Sequence, residues 1–98
     1  MRKAVPKVNV ARKKRNFARA YGSKERVEFF KALPCHFCGK VPSENAHLVT
    51  GGAGRKSDAH TIIPADRECH AWLDSQPAEF RKTLLGAAMT YDALWEDR

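Results

Sequence analysis

The sequence predicts a small α+β domain, ordered as a leading helix, a cysteine knuckle, a two-stranded hairpin, a second helix and helices that cover the core. Three observations predict it. Cys35 and Cys38 stand two residues apart with Gly39 directly after them, and a third cysteine, Cys69, follows downstream. Two short apolar stretches, NAHLVT (45–50) and HTIIPA (60–65), flank the glycine-rich GGAGRKSD, as strands flank a loop. Segments with helical periodicity lie before and after this block. At 98 residues the chain has room for one domain, and so small a core usually needs a staple.

The elements follow in order. Residues 1–20 combine dense positive charge with Pro6, Asn9 and few large apolar side chains, which predicts a flexible basic arm over 1–21 and a folded domain over 22–98. Ser23 is the expected N-cap of a helix over KERVEFFKAL, with Val27, Phe30 and Leu33 on one face and Pro34 as its stop. The knuckle and the two strands come next. Pro64 and Asp66 predict a turn before the helix RECHAWLDS, which would turn Cys69, Trp72 and Leu73 inward. After Pro77, two amphipathic stretches carrying Phe80, Leu84 and Leu85, then Met89, Leu94 and Trp95, are expected to cover the core.

Several function classes are set aside. The longest run of apolar residues and glycine, LLGAAM, is too short to cross a membrane. The opening MRKAVPKVNV lacks the apolar centre of a secretory signal. Three cysteines, two of them as C-x-x-C, suit a reducing compartment and metal binding better than a disulfide framework. The expected location is the cytoplasm.

The formal charge of +7 is concentrated at one end. Residues 1–31 hold eleven lysines and arginines against Glu25 and Glu28, whereas the rest of the chain is close to neutral. A basic arm on a neutral domain is the footprint of a nucleic-acid binder, with counterion release supplying affinity. Arg12, Lys13, Lys14, Arg15 and Arg19 are the candidate contacts, with Phe17 interleaved among them and Tyr21 following closely. In the glycine-rich loop, which could also be a plain hairpin connection, Arg55 and Lys56 would hold phosphate while the glycines let the backbone approach it.

Structural zinc takes four N, S or O ligands, commonly as two pairs. Cys35 and Cys38 make one pair, and Asp66 with Cys69 makes the second. Asp66 stands where a fourth thiolate would be expected, and His36, His60 or water are alternatives. Four residues apart on the second helix, His70 and Asp74 share a face. That spacing suits two ligands of one divalent cation, Mg²⁺, Mn²⁺, Zn²⁺ or Ni²⁺, and equally an ordinary contact on a solvated face.

Taken together, CHFC, ENAHLVTGGAGRKSD and HTIIPADRECHAWLD, within residues 35–74, resemble the HNH endonuclease (ββα-metal) family in its small phage-associated form. The resemblance implies a ββα-metal core that hydrolyses phosphodiester bonds in DNA. It implies His47, closing the first strand, as general base, with His70 and Asp74 holding the cation that stabilises the phosphorane and the leaving oxygen. Thr61 stands at the family's middle asparagine and can make one of its two hydrogen bonds. Ala46 precedes His47 where many members place a metal-binding Asp or His, Asp66 replaces a cysteine, and Asp74 replaces a frequent histidine. These departures keep open a catalytically inactive, zinc-stabilised DNA- or RNA-binding module. The implied partners are DNA and a phage packaging or recombination protein.

Overall fold

The structure, a computed structural model, describes residues 8–49 and 58–98, over 8–12 as backbone only. Along the chain it comprises α1 (Val8–Tyr21), α2 (Lys24–Ala32), β1 (Glu44–His47), a 3₁₀ turn (Ala59–Thr61), β2 (Ile62–Ala65), α3 (Arg67–Asp74), α4 (Ala78–Lys82) and α5 (Leu85–Asp97). The small α+β class expected from the sequence is the class observed.

The basic arm differs from expectation. From Val8 onward it is helical rather than irregular, while residues 1–7 lie outside the described residues. Alanine, lysine and arginine are strong helix formers, and charge density alone obscures that preference. The end of α1 is also anchored, because Ala20 is 5 % exposed.

Gly22, at φ +88°, turns the chain between α1 and α2, and its amide bonds the Ala18 carbonyl at 2.9 Å. Ser23 then caps α2, its hydroxyl accepting from the Arg26 amide at 3.1 Å, as the sequence suggests. Arg26 itself is buried. Its guanidinium pairs with Asp92 of α5 and donates to the Ala59 carbonyl, both at 2.9 Å, and lies 4.8 Å over the Phe30 ring. One side chain thereby fastens α2 to α5 and to the 3₁₀ turn.

β1 and β2 pair antiparallel with Glu44 opposite Ala65 and His47 opposite Ile62. Successive side chains on a strand point to opposite faces, and here the contacts divide accordingly. Glu44 and Ala46 face α3, while Asn45 and His47 face α2 and α1. The core is split by the hairpin. Ala46, Leu48, Ile63, Ala65, Leu73 and Ala88 pack on one side, and Phe30, Ala59 and Ile62 on the other, with Tyr91 touching both.

Three further expectations are corrected. Pro64 lies inside β2 opposite Asn45 rather than in a turn; in a two-stranded sheet both strands are edges, where proline is tolerated. β1 ends at His47 rather than at residue 50, and most of the glycine-rich loop (51–57) lies outside the described residues. Trp72, Phe80, Met89 and Leu94 are exposed, Met89 by 72 %. In α5 the inward stripe runs instead through Ala88, Tyr91 and Trp95, a spacing of three and four residues that Met89 and Leu94 fall outside. Trp72 lies edge-on between Phe37 and Phe80, with ring centres 5.4 and 5.7 Å away. Among the described residues no helix is long and apolar enough to cross a membrane.

Gly22 offers a direct check of the joint between α1 and α2. A Cβ there would sit 2.7 Å from Cδ of the buried Arg26, at a φ that L residues avoid. Gly22→Ala is expected to lower stability by at least about 1 kcal/mol, read as a lower urea midpoint. An unchanged midpoint would contradict the left-handed joint.

Candidate metal centre and the surrounding histidines

The knuckle is built by amides folding back onto sulfur. Phe37 and Cys38 direct their N–H groups at the Cys35 sulfur, at 3.4 and 3.5 Å. The Gly39 amide bonds the Cys35 carbonyl at 2.9 Å, and its φ of +81° turns the chain away. That geometry explains glycine directly after the second cysteine. The His36 amide donates to the Pro64 carbonyl at 2.8 Å, which fastens the knuckle to β2. The end of β2 therefore delivers Asp66 beside it.

Asp66 is also the N-cap of α3, its Oδ1 accepting from the Cys69 amide at 2.9 Å. Capping fixes where the first turn begins and so places Cys69 against the knuckle. The ligand atoms of Cys35, Cys38, Asp66 and Cys69 lie within 4.8 Å of one another, and together they could hold a metal ion. Sulfurs on a tetrahedron with metal–sulfur bonds of about 2.3 Å stand about 3.8 Å apart, so the group needs little contraction to close on an ion. His36 and His60, the alternative ligands, are engaged elsewhere: His36 Nδ1 meets the Tyr91 hydroxyl at 2.8 Å and His60 Nδ1 meets Asp92 at 3.1 Å.

The electrostatics of the group are those of competing anions. The Asp66 carboxyl is held below the usual range by hydrogen bonds from the Cys69 thiol and amide. Burial pushes the Cys35 thiol up, but the amides of Asp66, Cys38 and Phe37 outweigh it and the net shift is downward. Cys69 is pushed strongly upward by its bond to Asp66, by burial and by the two neighbouring sulfurs. A bound cation must therefore displace the Cys69 proton, and metal affinity falls as pH falls.

The histidines divide between the two faces of the hairpin. On the α3 face, His70 places Nδ1 at 2.8 Å from Glu44 and Nε2 at 3.6 Å from Asp74. His70 and Asp74, the pair expected to hold a cation, thus lie side by side, while Glu44 meets the other ring nitrogen. On the α1 face, His47 Nε2 lies 2.6 Å from the Ala20 carbonyl, and its ring is edge-on to Tyr21 at 5.0 Å. A carbonyl can only accept, so Nε2 carries the hydrogen and the lone pair of the neutral ring is on Nδ1. Hence His47 is not brought together with His70 and Asp74. Thr61 donates to the Asp58 carbonyl at 2.9 Å, bracing its own turn.

Of the expected cationic contacts, Lys13, Lys14, Arg15 and Arg19 are exposed on α1. The side chain of Arg12, together with Arg55 and Lys56, lies outside the described residues. Sequence reasoning misses Glu44, although it stands two residues before Ala46 and so shares the α3 face. It notes Tyr21 close after the basic run but does not place it beside His47. No family model, curated protein or solved structure matches the chain.

Asp66→Asn separates the two duties of that residue. Asparagine caps a helix as well as aspartate does but removes the anionic ligand. Helix content should be kept, while metal affinity falls by at least the roughly 10-fold that loss of an outer-shell partner costs, measured by competition with a chromophoric chelator. Parental affinity in this variant would exclude Asp66 as a ligand.

Proposed function

We propose that the chain is a zinc-stapled DNA endonuclease of the HNH (ββα-metal) kind. The observation that carries the proposal is the bond from His47 to the Ala20 carbonyl at the end of α1. The candidate base thereby abuts the helix whose surface bears Lys13, Lys14, Arg15 and Arg19. The succession β1, β2, α3, with the cysteine group tying the knuckle to the start of α3, supports the same reading. Three thiolates and one carboxylate form a closed set of four that suits structural zinc and leaves no open position for substrate.

In this reading the cations of α1 bind phosphates and set the register of the nucleic acid without reading its sequence. The Ala20 carbonyl holds the His47 ring with Nδ1 as the proton acceptor. His47 takes a proton from a water as that water's oxygen bonds to phosphorus. The bond from phosphorus to the leaving 3′ oxygen breaks, and solvent returns a proton to that oxygen. His70 Nε2 and Asp74 lie 3.6 Å apart and would hold the divalent cation, which would supply stabilisation of the charge on the leaving oxygen.

A second reading, a zinc-stabilised nucleic-acid-binding module without catalysis, is favoured by one observation. His47 and His70 face opposite sides of the hairpin. There α1 binds nucleic acid, and the contacts of His70 with Glu44 and Asp74 are those of an ordinary solvated face.

Nicking of supercoiled plasmid separates the two. The parent is expected to nick in the presence of Mg²⁺, Mn²⁺ or Ni²⁺. His47→Gln keeps an N–H for the Ala20 carbonyl but cannot accept the proton, and should lose roughly 10²- to 10⁴-fold in rate, with melting temperature and bound zinc unchanged. A parent that retards plasmid in a gel yet never nicks it, with any of these ions, leaves the binding module as the function.

A further inference from the structure

We infer that α1 carries a stacking platform for an unpaired base, centred on Phe17, so that the preferred ligand of this helix is single-stranded nucleic acid. The inference rests on the proposed reading of α1 as a nucleic-acid surface and names the class of substrate that surface takes. Phe17 is 39 % exposed and belongs to neither core cluster. Its ring lies 5.3 Å from Tyr21, which in turn is edge-on to His47 at 5.0 Å. A continuous ladder of rings therefore leads from the surface of α1 to the candidate base.

The surroundings of Phe17 define what can lie on it. Phe17 lines an open apolar hollow together with Lys13, Lys14, Ser23 and Lys24. Lys13 and Lys14 precede Phe17 by four and three residues and so share its side of the helix, and Lys24, opening α2, brings a third ammonium group. An apolar surface rimmed by three cations complements a polyanion that also presents flat apolar faces. A nucleobase flanked by its two phosphates has that chemistry, and stacking on an aromatic ring tolerates any base. In a duplex the base faces are covered by their neighbours, so a double strand meets only the lysines and gains nothing from Phe17. The preference for unpaired strands then comes from one ring, while affinity for either form comes from the charges.

The test uses the full chain in its metal-loaded form, with fluorescence anisotropy on labelled oligo(dT) and on a duplex of equal charge. Phe17→Leu keeps an apolar side chain without a π face. It should weaken oligo(dT) binding by roughly 5- to 150-fold while duplex binding stays within about twofold. Phe17→Trp should retain or strengthen oligo(dT) binding. In both variants the slope of log K against log salt should match the parent, because no charge is removed. Equal effects of Phe17→Leu on both ligands, or on neither, with metal content and melting temperature preserved, overturn the platform. It is equally overturned if Phe17→Leu changes self-association instead of binding. If the parent binds neither ligand, the nucleic-acid reading of α1 falls and the platform falls with it.

Discussion

Asp66 occupies the point on which the rest of this small structure depends. It follows β2 directly, caps α3 through the Cys69 amide and lies against three sulfurs. One carboxylate thus fixes where the strand ends, where the helix begins and where the knuckle closes. In a domain of this size the buried apolar surface alone is marginal, and the side chains behind α3 are few: Leu73 is its one fully buried residue. Without a charge-neutralising ion the same group would gather acidic side chains whose ionised forms oppose one another. The cluster is therefore costly to keep together as bare side chains and favourable once an ion is bound.

The hairpin acts as a partition. Because side chains alternate, four residues of β1 serve two different neighbourhoods: Glu44 reaches His70 and Ala46 fills the core beneath α3, while Asn45 reaches the Val27 carbonyl and His47 reaches α1. A shift of register by one residue would exchange these roles. The zinc-type cluster and His70 lie on the α3 side, and the basic helix and His47 lie on the other. Chemistry proposed at His47 therefore draws on α1 for positioning and on the cluster only for the stability of the frame. Arg26 performs the corresponding task on the α1 side, joining three elements through Asp92, Ala59 and Phe30.

What is legible in the sequence is local. The Ser23 cap, the glycine after the knuckle and the extent of α3 follow from contacts between residues a few positions apart, and each can be read directly. So can the four members of the metal group, since two pairs of like spacing are visible without knowing the fold. Interactions that span the chain are not legible. Arginine is ordinarily a surface residue, and nothing near Arg26 points to Asp92, 66 positions away. The helical state of α1 is hidden because charge argues for an arm, whereas propensity and the burial of Ala20 decide for a helix. The HNH pattern names His47 and His70 together, yet their faces depend on strand register, which the pattern does not contain.

The metal dependence of the fold is the measurement that tests this account most directly. Far-UV circular dichroism would be followed while a strong chelator removes bound metal, and again after Zn²⁺ is restored. The account predicts loss of helical signal and of a cooperative thermal transition on removal, with recovery of both on adding Zn²⁺. A protein stripped of metal, shown by elemental analysis, that keeps its spectrum and melting temperature would contradict it.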